Sequence, residues 1–220
     1  MSELLNPKDF IITRKRKQYK FALFSNSDLC MEYADWDKSF APNVLEIGAG
    51  TGLFSAELAR RHADWRVAAI DVKGDRLQKG ARLATEQGTN NVRFLRTRGD
   101  QLLELFEPGG IDTLWVTFPD PHPKKRSAGR RLMHPTFLRI YAQLLSSDGA
   151  LYFKTDSHQL FTWTLEQLVA EKWRLDEISF DLHDTELADD YKIMTTYEQK
   201  FTAEGLPTHF VKAYPPVAAD

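Results

Sequence analysis

From residue 44 to residue 154 the chain alternates short apolar, β-rich runs with segments whose apolar side chains recur at helical spacing, and few folds accommodate that alternation. Residues 44–47, 66–70, 92–95, 111–118 and 150–154 read as strands. Residues 52–62, 75–87, 101–106, 135–145 and 159–171 read as helices, the first with Leu53, Ala56, Leu58 and Ala59 on one face. Strand–helix–strand repetition means a mostly parallel sheet with right-handed crossovers and helices on both faces. Residues 175–182 and 208–214 then predict an antiparallel hairpin that finishes the sheet, for seven strands in all.

At 220 residues the chain is long enough for one well-buried core and short for two domains. The expected division is an amino-terminal arm over 1–40 and one α/β domain over 41–220. The arm carries Arg14, Lys15, Arg16, Lys17 and Lys20 interleaved with Tyr19, Phe21 and Phe24. That mixture suits RNA, and it equally suits a plain disordered arm. With 29 Lys and Arg against 31 Asp and Glu, any affinity for nucleic acid must come from local patches.

A single cysteine, Cys30, excludes an internal disulfide framework and a multi-cysteine metal site, which fits a reducing cytoplasm. The six histidines form no helical His-x-x-x-His pair, so no metal is expected. No apolar window approaches a membrane span, and no apolar signal core opens the chain.

The first strand ends in Glu46-Ile47-Gly48-Ala49-Gly50-Thr51-Gly52, with a helix directly after. Glycines at alternate positions let backbone turn sharply and approach a ligand. Gly52 falls two residues after Gly50, whereas a dinucleotide fingerprint requires three. Asp71, closing the second strand, is placed to accept ribose hydroxyls from a nucleoside in either kind of fold.

The second loop of interest reads Phe118-Pro119-Asp120-Pro121-His122-Pro123-Lys124-Lys125-Arg126, followed by Arg130 and Arg131. Its prolines fix φ and remove donors, so Asp120 sits in a stiff loop leaving a strand's carboxyl end, where open α/β sheets bind ligands. The cations behind it form a local positive field suited to phosphates, or a solvated basic turn.

Taken together these segments resemble the bacterial tRNA (guanine-N7)-methyltransferases, a class I S-adenosylmethionine-dependent family with a Rossmann-like sheet. The resemblance runs from about Phe40 to Tyr214. It rests on the Glu-x-Gly-x-Gly-x-Gly loop, on Phe118-Pro119-Asp120-Pro121 with its basic tail, on Phe153-Lys154-Thr155-Asp156, and on Met194-Thr195-Thr196-Tyr197-Glu198 running to Gly205. It implies methyl transfer from S-adenosyl-L-methionine to N7 of a tRNA guanosine, usually position 46 of the variable loop, by a cytoplasmic monomer or homodimer. Implied cofactor contacts fall on Glu46, Gly48, Gly50, Asp71, Asp100 and Asp120, with Asp120 also the catalytic candidate. Implied substrate contacts fall on Lys124, Arg126, Arg130, Arg131, Asp156, Thr195, Tyr197 and Glu198. Asp156 also reads as a helix cap, and Tyr197 as core packing. Rival readings are a related enzyme acting on another RNA or a small molecule, and a catalytically silent binding module.

The chain departs from the family pattern at four places. His122 stands where the family usually has Trp, Asp71 where Glu is common, and Thr51 where the loop often has Lys. The acid after the third strand aligns with Arg98 without gaps and with Asp100 if Arg-Gly-Asp is matched; Asp100 is preferred.

Overall fold

The strand-like runs are buried on both faces, which is why they are continuously apolar and why helices must cover each side. The computed structural model describes residues 4–217; residues 1–3 of the expected arm and 218–220 of the expected domain lie outside the described residues. In chain order the elements are α1 (Lys15–Ser25), β1 (Cys30–Glu32), β2 (Val44–Ile47), α2 (Leu53–Arg61), β3 (Val67–Asp71), α3 (Gly74–Glu86), β4 (Val92–Arg96), α4 (Leu102–Leu105), β5 (Ile111–Thr117), α5 (Pro135–Leu144), β6 (Leu145–Thr155), α6 (His158–Ala170), β7 (Arg174–Ser179), α7 (Thr196–Ala203) and β8 (His209–Tyr214). None of the helices among the described residues is long and apolar enough to cross a membrane.

The sheet runs β1-β4-β3-β2-β5-β6-β8-β7, parallel except that β8 is antiparallel to both β6 and β7. It therefore has eight strands where the sequence predicts seven. The extra one, β1, pairs in parallel with β4 through Cys30, Met31 and Glu32, inside the segment read as an arm. Just ahead of it α1 docks on α3: Phe24 is buried against Gly74, and the Arg96 guanidinium lies 4.8 Å over the Phe21 ring. Three strand residues are too few to show a period, and the basic run at the start of α1 hides its buried face.

The alternation of side chains along each strand divides the core in two. Leu45, Ile47, Leu114, Val116, Leu151 and Phe153 pack under α4, α5 and α6. Val44, Val67, Phe94, Trp115 and Phe210 pack under α1, α2 and α3, with Trp115 meeting Phe54 edge to face. From β2 the chain moves outward through β3 and β4, then crosses back to place β5 on the other side of β2. Neighbouring strands whose connections leave in opposite directions open a crevice at their carboxyl ends.

Candidate active site

That crevice is a cavity of about 240 Å³ between two walls of different construction. The first wall is the glycine loop and the end of β3. Gly50 has φ 56°, and a Cβ there would meet nothing within 4 Å, so bare backbone faces open space. Gly52, at φ 70°, instead lies against the core: a Cβ would come within 2.6 Å of the Phe94 ring. The Asp71 carboxylate, which lines the cavity, accepts hydrogen bonds from the Gly50 and Lys73 amides, each at 2.8 Å. Burial nonetheless raises its pKa, a cost that a ligand donating to it would offset.

Glu46 does not line this cavity, contrary to a direct contact role. It is 1 % exposed, behind the loop, and accepts from Ser55 Oγ at 2.5 Å and Thr117 Oγ1 at 2.6 Å. Burial pushes its carboxyl up to about 7 against those bonds. Asp100 also stays outside. It forms a surface ion pair with Arg98, while the adjacent Gly99 lines the cavity.

The second wall is the loop after β5 and the start of α7. Phe118 turns out of the strand at φ 46°, a conformation that costs a bulky residue about 1–3 kcal/mol and tends to be held at functional sites. It is held by its amide, bonded to the Lys154 carbonyl at 2.8 Å. Asp120, exposed at the cavity edge, follows, and His122 and Arg130 line the same wall. Lys124, Lys125, Arg126 and Arg130 are exposed, and none forms an ion pair among the described residues. Arg131 differs from them. It is 7 % exposed and bonded to backbone, so it is no surface phosphate ligand.

Thr195 and Tyr197 also line the cavity, and the sequence explains how. Thr195-x-x-Glu198 forms a reciprocal capping box, the Glu198 amide donating to Thr195 Oγ1 at 3.0 Å and the Thr195 amide to Glu198 Oε2 at 3.1 Å. Tyr197 is 45 % exposed, which excludes core packing, and its hydroxyl accepts from Arg76 across the cavity at 3.2 Å. Glu198 does not face the cavity. It is fully buried, paired with Lys154 Nζ at 2.8 Å and with His183 Nε2 at 2.9 Å.

Lys154 is the residue whose importance the sequence conceals. Fully buried, it donates also to the carbonyls of Tyr191 and Ile193, at 3.1 and 2.6 Å, and burial lowers its pKa. Glu46, Thr117 and Lys154 lie on one face at the carboxyl ends of three adjacent strands, so together they form a buried polar floor beneath both walls. Asp156, partly exposed, is not the cap of α6; Ser157 is, its Oγ accepting from the Leu160 amide at 3.2 Å. The Asp156 carboxylate makes no hydrogen bond among the described residues.

Residues 40–211 match the family model described as "Putative methyltransferase". The tRNA (guanine-N(7)-)-methyltransferase of Cytophaga hutchinsonii is 36 % identical over 82 % of this chain and 83 % of its own length. The protein of that name from Brevibacillus brevis is 36 % identical over 81 % and 85 %. Among solved structures, the 16S rRNA methyltransferase KamB superposes with a TM-score of 0.61 at 17 % identity, over 83 % of this chain and 90 % of its own. A tryptophan-to-alanine mutant of the 16S rRNA (adenine(1408)-N(1))-methyltransferase of Catenulisporales acidiphilia with cosubstrate SAM gives 0.58 at 14 % identity, over 84 % and 94 %. At such identities these two likenesses speak for the fold alone.

Proposed function

The chain belongs to the tRNA (guanine-N(7)-)-methyltransferase family, and on that premise we propose that it methylates N7 of a guanosine at position 46 of the tRNA variable loop, in the cytoplasm, as a monomer or homodimer. The observation that carries this reading is a strand-end cavity walled by Asp71 and the glycine loop on one side and by Asp120 and Tyr197 on the other.

The first wall fits S-adenosyl-L-methionine, the methyl donor. Open backbone at Gly50 admits close approach, and the desolvated Asp71 carboxylate suits a pair of ribose hydroxyls. The cofactor supplies a sulfonium-bound methyl group, an electrophile that needs no further activation. Asp71 and the backbone of Gly48 and Gly50 would hold it, Glu46 supporting the loop from behind. Asp100 would join them only by exchanging Arg98 for the ligand.

Guanine N7 is a lone-pair acceptor and needs no general base, so the protein's task is alignment. Alignment alone can supply roughly 7–11 kcal/mol. Positive charge builds on the purine as N7 is methylated, and the Asp120 carboxylate at the cavity edge would stabilise it by about 2–4 kcal/mol. Because the Tyr197 oxygen already accepts from Arg76, its own hydrogen is available to the O6 acceptor of the base. Asp156 and Thr195 are assigned to the nucleoside beyond. Lys124, Lys125, Arg126 and Arg130 would neutralise flanking phosphates, which makes binding salt-dependent. Glu198 and Arg131 act from behind these residues.

The test is incubation with unmodified tRNA and methyl-labelled cofactor, followed by mapping of the labelled nucleotide. One 7-methylguanosine in the variable loop is expected; tRNA that binds but stays unlabelled overturns the reading.

A further inference from the structure

Arg130 and Arg131 are neighbours in sequence and opposites in environment. Arg130 is exposed and lines the cavity, whereas Arg131 is buried and none of the described carboxylates pairs with it. A guanidinium withdrawn from water without a counter-charge is costly, so its contacts need to be good. They are all aimed at one stretch of chain. Nε donates to the Pro121 carbonyl at 3.2 Å and to that of His122 at 3.4 Å, and Nη2 donates to His122 at 3.1 Å. The guanidinium plane lies 4.3 Å over the Trp163 ring of α6.

The two carbonyls it grips follow directly after Asp120. His122 has φ 42°, a left-handed conformation that few residues other than glycine adopt. The prolines on either side fix φ at their own positions but leave the peptides around His122 without a local hydrogen bond that would hold this turn. Charge-assisted bonds from a rigid fork stacked on an aromatic face supply that hold.

We propose that Arg131 is a positioning residue for methyl transfer, which clamps the Pro121–His122 turn to α6 and so sets where the Asp120 carboxylate stands in the cavity. This rests on the methyl-transfer reading above. It assigns the paired arginines to separate tasks: Arg130 meets the RNA, and Arg131 never does.

The experiment compares Arg131→Ala, Arg131→Lys and Arg130→Ala in the full chain. Measurements are kcat and KM with unmodified tRNA, separate equilibrium affinities for tRNA and S-adenosyl-L-methionine, and backbone amide order parameters at Asp120 and His122. Both Arg131 variants are expected to lose about 100-fold in kcat, as a displacement of about 1 Å does. Their affinities for tRNA and cofactor should stay within about twofold, and the order parameters of the two amides should fall. Millimolar guanidinium should restore part of the kcat of Arg131→Ala. Should Arg131→Ala fail to fold, Arg131→Lys, which keeps the chain and charge but not the fork, decides the matter by the same kcat and amide readouts. Loss of tRNA affinity with kcat retained at saturating tRNA, as expected for Arg130→Ala, overturns the proposal, and so does unchanged kinetics. If the wild-type protein methylates no tRNA, the functional reading fails instead, and the amide order parameters still decide whether Arg131 holds the turn.

Discussion

The two walls of the cavity are built on different physical principles. The glycine-loop wall is held by local backbone geometry: a turn between β2 and α2, with Asp71 bonded to the Gly50 and Lys73 amides. The Asp120 wall is held by charges removed from water. Lys154 joins β6 to Glu198 of α7 across 44 residues of sequence, and Arg131 grips the loop that it follows. A backbone turn specifies its shape by itself, but a buried ion pair specifies shape only if every polar partner is present. The first wall is thus a property of a short segment, the second a property of the whole fold.

Removing the charge that faces the cavity should have the largest effect. Asp120→Ala is expected to lower kcat by about 30- to 1,000-fold while leaving the thermal midpoint and cofactor affinity near wild type, since the residue is exposed. A fully active variant would show that the second wall does not act through its carboxylate. Glu198→Ala strands the Lys154 ammonium and should cost about 3–5 kcal/mol in denaturant unfolding. Replacing both partners, Lys154→Met with Glu198→Leu, should recover most of that loss; if the double variant is as unstable as the single one, the contrast between walls is broken.

Glu46 lies where the walls join, and it makes stability depend on pH. Its folded pKa, about 7, stands above the ordinary 4.5, so the neutral form is favoured by the fold. The resulting stabilisation is full below the ordinary value and disappears as pH rises through the folded one. Between roughly pH 5 and pH 8 the wild-type protein should lose about 2–3 kcal/mol more than Glu46→Gln, measured by urea unfolding at each pH. A parallel pH profile in the two proteins would refute this. The smallest change tests the first wall alone. Gly52→Ala, strained at φ 70° and driven into Phe94, should cost about 1–3 kcal/mol and weaken cofactor binding without altering tRNA affinity.

The same contrast explains what could be read from the chain alone. Glycine spacing and strand-end acids are local signals, so the loop at Gly48–Gly52 and Asp71 was legible, and so was the strand–helix alternation. Glu46 was legible as part of the loop but not as its buried support, because nothing local announces the Ser55 and Thr117 hydroxyls. The Lys154–Glu198 pair joins residues remote in sequence. Arg130 and Arg131 are indistinguishable in a basic run, since the difference between them is only which one meets Trp163. α1 and β1 were hidden for a related reason: their burial depends on α3 and β4, which come much later.

The place of β8 bears on how the protein is made. Among the described residues β7 has a single neighbour, β8, and β8 is also the strand that covers the free edge of β6. A chain emerging from the ribosome presents β7 before anything exists for it to pair with, and β6 shows a bare apolar edge until His209–Tyr214 has followed. Translation stalled in that interval would leave a template for pairing with other nascent chains. Synthesis therefore completes the glycine-loop side of the sheet well before the side that carries Lys154.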